Sequence, residues 1–221
     1  HSWDYWLWHD IFVAPIVEAP GLSKTVVFPS GNNFVDYWDS TKTYEGGSTV
    51  TLNVSITDFP VFQRAGSIIP LEVSSRLTGH GLASDGHLTA MIVPTHTSTQ
   101  DSQSTQGVHT ATTTSVRRWK EESMDMSYKW PRGGLFQFQS TPHPTRGVIV
   151  LLRTITACPH SVIDELYGNE ITAQASLEDM HSKGYGYFCD LRAKQLFVHL
   201  GHSSPHGNSI TIKGISTLYA L

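Results

Sequence analysis

The chain has 221 residues, of which 39% are hydrophobic and 15% are charged, and its formal net charge at pH 7 is -4. This length is enough for one or two domains with their own cores. The negative balance excludes a basic field that would attract nucleic acid or an anionic membrane, and no apolar run approaches the roughly 20 residues of a membrane-spanning helix. The sparsely charged surface, rich in Ser and Thr, is typical of a secreted or lumenal protein.

The first stretch, residues 1–71, is predicted to form short strands separated by turns. It opens with a cluster of aromatic residues, Trp3, Tyr5, Trp6 and Trp8. The apolar run 11–17 is interrupted by Pro15 and followed by Pro20 and Gly21, which is typical of a short strand buried on both faces. Further strands are predicted at residues 24–28, 34–38, 48–54, 59–62 and 67–71. Strands this short and evenly spaced favour a β-sandwich.

The middle stretch, residues 72–146, has a different composition. Residues 95–116 are almost wholly Thr, Ser, Gln, His, Gly and other small residues, so we predict a long surface loop or disordered insertion there. Strands are predicted at 88–93, 127–130 and 135–139. In the last of these, Phe136 and Phe138 alternate with polar residues, as in a strand with one buried face.

The last stretch, residues 147–221, is again rich in β-formers. Strands are predicted at 148–155, 161–167, 170–173, 187–190, 195–200 and 209–213. The pair Gly168-Asn169 favours a tight hairpin, and a second hairpin is expected at 184–187, where sugar stacking is a less favoured alternative. No segment shows helical periodicity with caps, so the sequence predicts an all-β protein.

Several motifs in the first stretch occur in a fixed order. Residues 5–16 read Tyr-Trp-Leu-Trp-His-Asp-Ile-Phe-Val-Ala-Pro-Ile, and residues 26–31 read Val-Val-Phe-Pro-Ser-Gly. Residues 34–38 read Phe-Val-Asp-Tyr-Trp, and residues 44–47 read Tyr-Glu-Gly-Gly. Residues 59–70 read Phe-Pro-Val-Phe-Gln-Arg-Ala-Gly-Ser-Ile-Ile-Pro. This order and spacing resemble the C-terminal region of glycoside hydrolase family 31, the α-glucosidase family.

The resemblance implies two β-sandwich domains, proximal and distal, preceded by the last strand of a (β/α)8 barrel that lies outside this chain. On this basis we predict a barrel remnant at residues 1–17, a proximal sandwich at 18–74 and a distal sandwich at 75–221. The distal part resembles the family more loosely. Trp8 stands where the family has Gly, and His9 where it has Asp.

The same resemblance implies a retaining α-glycosidase, which uses two carboxyl groups as nucleophile and acid/base. In this family both are Asp residues on barrel loops before the Val13-Ala14-Pro15 segment, so no residue here receives a catalytic role and no cofactor is expected. The barrel, covalently joined or as a separate chain, is the expected partner, and a carbohydrate is the substrate of the parent enzyme. The alternative is an inactive β-module reused as a structural or interaction subunit.

Residues in the motifs are assigned structural roles first. Arg64, beside the tight bend at Gly66, is expected to pair with a carboxylate under the barrel, with a ligand contact as the less favoured alternative. Trp38 and Phe34 are expected to be core anchors between the sandwich and the barrel. Asp36, although it lies among aromatic residues, is not favoured as a catalytic acid.

The remaining polar residues suggest little further chemistry. Cys158 and Cys189 form either two buried thiols or one disulfide. Asn53 begins an N-glycosylation sequon. The 12 histidines are scattered, and the loop group His199, His202 and His206 is not expected to bind a metal. A chain that opens at His1 without Met suggests a cleaved or longer polypeptide, and a secretory location (endoplasmic reticulum lumen, lysosome or extracellular) is expected.

Overall fold

The structure is a computed structural model that describes residues 3–17, 23–55, 57–71, 87–96, 112–117, 123–132, 135–142, 147–201 and 204–219. Within these residues the protein is almost entirely β-structure, with a single short helix. The predicted all-β class is confirmed. None of the helical residues described here forms a segment long and apolar enough to cross a membrane.

The first half of the chain builds an antiparallel sandwich. Its strands are β1 (Tyr5–Leu7), β2 (Ile11–Val13), β3 (Ser23–Val27), β4 (Phe34–Asp36), β5 (Thr43–Tyr44), β6 (Thr49–Asn53) and β7 (Val61–Arg64). Five of them form one sheet in the order β1-β2-β7-β4-β5, and β3 pairs with β6 in a second, smaller sheet. The apolar run that follows the N-terminal aromatic cluster therefore pairs with β7 inside this sandwich.

Phenylalanine rings dominate the core of the first sandwich. Phe12, Phe28, Phe34 and Phe62 are all buried, and Tyr44 stacks on Phe28 with ring centroids 4.8 Å apart. The predicted burial of Phe34 is confirmed. Large rings suit a small sandwich because each one removes a large apolar area from water.

The second half builds a larger sandwich. Its strands are β8 (Ile68–Leu71), β9 (His87–Ile92), β10 (Thr112–Arg117), β11 (Ser123–Lys129), β12 (Phe136–Ser140), β13 (Gly147–Arg153), β14 (Ile155–Ala157), β15 (Ser161–Asp164), β16 (Asn169–Glu170), β17 (Gly186–Asp190), β18 (Gln195–His199), β19 (Asn208–Lys213) and β20 (Ser216–Thr217). One sheet has the order β10-β11-β12-β19-β15-β16 and the other β17-β18-β13-β9-β8, while β14 pairs with β20. All pairs are antiparallel except β9 with β13.

Strand β13 forms the centre of this sandwich. All its residues are buried, because alternate side chains enter two different apolar clusters. Val148, Val150 and Leu152 face the core between the two large sheets. Leu151 faces a smaller cluster on the outer side. The predicted alternation in β12 is also present, with Phe136 and Phe138 buried and Gln137 and Gln139 exposed.

The two sandwiches share structure across their boundary. Strand β8 lies within the range predicted for the proximal domain, yet it pairs with β9 at the edge of the second sandwich. The outer cluster contains Ile69 and Met91 of the second sandwich, with Ile11 and Tyr37 of the first packed against it. The division at residues 17 and 74 remains a prediction, and the region expected to join the sandwiches lies mostly outside the described residues.

The structure differs from the sequence predictions at residues 177–183 and 184–187. The helix α1 (Leu177–Lys183) occupies a segment for which no helix was predicted; Ser176 caps its start and Gly184, at φ 66°, ends it. The hairpin predicted at 184–187 is therefore wrong, because Gly184 terminates a helix and Gly186 begins β17. In the predicted insertion, residues 97–111 lie outside the described part of the chain, whereas its last residues form β10, paired with β11.

Candidate functional site

The N-terminal edge strand carries large exposed apolar side chains. Strand β1 lies at the end of the first sheet, and Trp3, Tyr5, Leu7 and Trp8 are exposed. Trp6 is directed to the opposite side of β1 from Tyr5 and Leu7; it is 41% exposed, and its ring lies 5.5 Å from that of Phe12 and 5.8 Å from that of Phe34. We call the exposed set Trp3, Tyr5, Leu7 and Trp8 the aromatic edge.

The aromatic edge is fixed in position by the residues around it. Asp4 forms an ion pair with Lys24 of β3 at 2.8 Å, which ties the start of β1 to the smaller sheet. Trp8 has φ 63°, a left-handed conformation that a side chain makes unfavourable and that glycine adopts freely. The motif resemblance implies Gly at this position, and the left-handed backbone is one that Gly would adopt without strain. The Trp8 side chain is 67% exposed and lies beside an apolar cleft of about 220 Å³ that Ile69 and Leu71 also line.

Arg64 holds the bend that follows β7. Its Nε and Nη2 atoms donate to Asp10 Oδ1 at 3.1 and 2.5 Å, and its backbone N–H donates to Asp10 O. The predicted pairing of Arg64 with a carboxylate is confirmed, and the partner belongs to this chain. Gly66 has φ 85°, as the bend requires. This pair is a structural connection between β2 and β7.

Asp36 organises a turn. Its Oδ1 atom accepts from the backbone N–H groups of Trp38 at 2.8 Å and Asp39 at 3.0 Å, which is the pattern of an Asx turn. Such a bonded carboxylate is a structural element, in keeping with the sequence interpretation.

The turn holds Trp38 outside the core. The Trp38 side chain is 67% exposed, so it is not buried within the sandwich, and its expected role as an anchor between sandwich and barrel stays a prediction. The ring is fixed in position: Trp38 Nε1 donates to Phe59 O at 2.8 Å, and the rings of Trp38 and Tyr37 make an edge-to-face contact with centroids 4.9 Å apart. The motif alone could not distinguish a buried indole from one held on the surface.

Trp38 stands in an open polar groove of about 600 Å³. One wall is the β4–β5 turn with Trp38, Asp39 and Lys42, and the other is β6 and the loop after it, with Asn53 and Asp58. The hydrogen bond from Thr41 Oγ1 is the main cause that lowers the pKa of Asp39. Three aspartates, Asp36, Asp39 and Asp58, and one lysine, Lys42, line the groove, so its formal charge is negative.

A buried cation joins the two sandwiches. Arg153, at the end of β13, is 1% exposed. Its guanidinium donates to Ser40 Oγ at 2.8 Å, to Gln63 Oε1 at 3.0 Å and to Tyr37 O at 3.1 Å, and also to Asp36 O. Burial lowers its pKa to about 10. Sequence reasoning assigned this position only to an apolar strand, although a lone Arg in such a strand is itself a signal of a buried polar contact.

The two cysteines form a disulfide between Cys158 and Cys189, with Cα atoms 5.9 Å apart. The bond ties the segment after β14 to β17. Asn53, the sequon residue, is exposed at the end of β6 and lines the groove. Its glycosylation remains a prediction.

The histidines make ring contacts. The rings of His87 and His199 lie 4.4 Å apart, and those of His181 and His199 lie 6.0 Å apart. His199 Nδ1 accepts from the backbone N–H of Gly201. Across the described part of the chain, no group of three or more His, Cys, Asp or Glu side chains is arranged to hold a metal ion; His202 lies outside it.

Comparison with known proteins gives a family for the first sandwich. Residues 2–69 match the glycosyl hydrolase family 31 C-terminal domain. The chain is 25% identical over 212 residues to an isomaltosyltransferase from Sporosarcina globispora, covering 94% of this chain and 18% of that protein. It is 35% identical over 74 residues to human neutral alpha-glucosidase C, covering 32% of this chain and 8% of that protein.

The fold of the whole chain is also shared with a solved structure. The cycloalternan-forming enzyme from Listeria monocytogenes superposes with a TM-score of 0.78 at 21% identity, covering 97% of this chain and 19% of that one. The matched segment and the shared fold are those of the C-terminal β-sandwich region of glycosidase-like proteins. The match over residues 2–69 confirms the resemblance seen in the motifs for that segment. It spans less than a fifth of the length of these relatives.

Proposed function

We propose that this chain supports the catalytic (β/α)8 barrel of a retaining α-glycosidase of the α-glucosidase type, and that the aromatic edge is the surface that contacts the barrel. The observation that carries the proposal is the exposure of four large apolar side chains, Trp3, Tyr5, Leu7 and Trp8, on and beside one edge strand.

The physical argument is that such a strand is unfavourable in water. Contiguous exposed apolar patches mark interaction surfaces, and an open sheet edge invites pairing with other chains. The ion pair of Asp4 with Lys24 and the packing of Trp6 on the core keep the strand ordered, so it presents a preformed face. The apolar cleft beside Trp8 extends this face toward β8.

The test uses residues 1–221 produced alone and together with the barrel polypeptide of the parent protein. We expect the chain alone to be less soluble than the pair and to show no cleavage of p-nitrophenyl α-glucoside, and the pair to form a soluble, active complex. Leu7→Lys should weaken the association at least about tenfold, since it places a charge in an apolar contact. Tyr167→Lys is the matched control, because Tyr167 is 64% exposed and lies far along the chain in the second sandwich.

Three outcomes would contradict the proposal. Equal association of Leu7→Lys and Tyr167→Lys with the barrel would exclude the aromatic edge as the contact. Hydrolysis by the chain alone that disappears on mutating one of its own acidic residues would require an active site within it. A soluble lone chain that ignores the barrel would favour the alternative, a β-module reused in another assembly.

We also infer that the parent protein works in an oxidising compartment of the secretory pathway, such as the endoplasmic reticulum lumen, or in a lysosome or outside the cell. The disulfide between Cys158 and Cys189 supports this, because disulfides rarely persist in the cytosol. Peptide mass spectrometry of the native protein without reduction should detect the cross-linked pair and a glycan on Asn53. Finding both cysteines reduced in protein from its native source would refute the inference.

A further inference from the structure

The groove beside Trp38 has the chemistry of a ligand site on the first sandwich. The Trp38 ring is exposed but immobilised, since the indole N–H is bonded to Phe59 O and the ring makes an edge-to-face contact with Tyr37. Fixing an exposed aromatic ring removes the entropy cost of ordering it on binding. Phe59, half exposed, lies at the same end of the groove.

The polar residues of the groove suit a neutral, hydroxyl-rich molecule. Asp39 and Asp58 supply carboxylate acceptors, and Lys42, which is ion-paired with Asp39 at 3.4 Å, supplies a donor. Asp39 accepts from Thr41, and Asp58 Oδ2 accepts from Ser55 N at 2.7 Å. These bonds fix the carboxylates, and each carboxylate has about four lone-pair sites, so capacity remains for hydroxyl groups. An excess of carboxylates over cations disfavours phosphate and other anions.

We propose that this groove is a carbohydrate-binding site, in which one pyranose ring of a neutral oligosaccharide lies on the face of Trp38 and its hydroxyl groups bond to the two walls. The C–H face of a pyranose is apolar, so stacking on an indole buries apolar area, while the ring edge carries the hydroxyls. A volume of about 600 Å³ in an open groove accommodates a few sugar units and lets the chain continue at both ends.

The experiment is native affinity electrophoresis of the full chain, residues 1–221, in gels containing a soluble α-1,4-glucan or dextran. The choice of α-glucans as probes rests on the proposed function. Protein from bacterial cells keeps Asn53 unmodified. We expect retardation of the wild type, about tenfold or more weaker binding by Trp38→Ala, and an intermediate loss for Trp38→Phe, which keeps a flat ring but loses the bond to Phe59 O. Trp8→Ala is the matched control, because Trp8 is also 67% exposed but lies outside the groove.

If Trp38→Ala does not fold, Thr57→Arg gives the second test, since Thr57 is an exposed groove residue and a long side chain there fills the site. The proposal is supported if the glucan retards the wild type but does not retard Thr57→Arg. The proposal is overturned if neither glucan retards the wild type, or if Trp8→Ala loses as much binding as Trp38→Ala. It is also overturned if adding the barrel polypeptide abolishes retention, which would make the groove part of the barrel contact. A chain that joins the barrel but binds no glucan refutes this site and leaves the supporting role intact.

Discussion

Replacing Arg153 by Met tests how the two sandwiches are held together. Met keeps most of the apolar stem and removes all four hydrogen bonds of the guanidinium. Each buried acceptor left without a partner costs about 1–3 kcal/mol, and Gln63, which is fully buried, is the most affected. Burial also lowers the pKa of Arg153 from 12.5 to about 10, so burying the charged guanidinium costs about 3 kcal/mol. The substitution by Met removes this cost. The loss of several acceptor contacts outweighs that relief, so we expect a net loss of about 3 kcal/mol.

The assay is urea unfolding followed by fluorescence and circular dichroism, with Arg192→Met as the control. Arg192 is exposed on the turn between β17 and β18, and surface substitutions of this kind usually change stability by less than about 0.5 kcal/mol. We expect only Arg153→Met to lower the unfolding midpoint, and the transitions of the two sandwiches to separate. An Arg153→Met protein as stable as the wild type would refute the reasoning, because the acceptors would then have found other partners at no cost.

Three further predictions concern strain, pH and the disulfide. Trp8→Gly should be more stable than Trp8→Ala by about 1 kcal/mol, since both remove the ring and only Gly relieves the left-handed backbone; thermal melts showing Ala equal or better would contradict this. Burial raises the pKa of Tyr219 to about 12, so the stability that Tyr219 contributes is fully present below pH 10 and lost as pH rises to 12. Tyr219→Phe should flatten this alkaline decline while losing the bond to Phe34 O, and an unchanged pH profile would exclude the effect. Replacing Cys158 and Cys189 by Ser should cost about 3–4 kcal/mol because the bond closes a loop with a sequence separation of 31; unfolding in denaturant with and without reductant measures it, and equal midpoints would show that the disulfide adds nothing.

The sequence predicted the strands in which residue type, alternation and flanking turn residues all indicate the same structure. The alternation around Phe136 and Phe138, for example, follows directly from the two-residue period of a strand. The helix α1 was missed because it is one short piece with little apolar periodicity, although Ser176, Asp179 and Gly184 provide recognisable start and stop signals.

The candidate sites were harder to predict because they depend on contacts between distant segments. The position of Trp38 is set by Phe59, 21 residues away, and that of Arg153 by Ser40, 113 residues away. A strand pattern reports which face a residue occupies but not what covers that face. The exposure of Trp38 and the burial of the Arg153 guanidinium therefore follow from contacts between distant segments, which a strand pattern does not report.

The position of β8 limits how this protein can be divided. The strand follows the first sandwich by only a short bend, yet its backbone completes the edge of the sheet built by β9 and β13. A division of the chain at about residue 74 would leave β8 on the fragment that contains the first sandwich. The second sandwich would then have β9 as a new, apolar edge strand. Anyone wishing to produce the second sandwich alone, or to exchange it with that of a relative, should cut before Ile68.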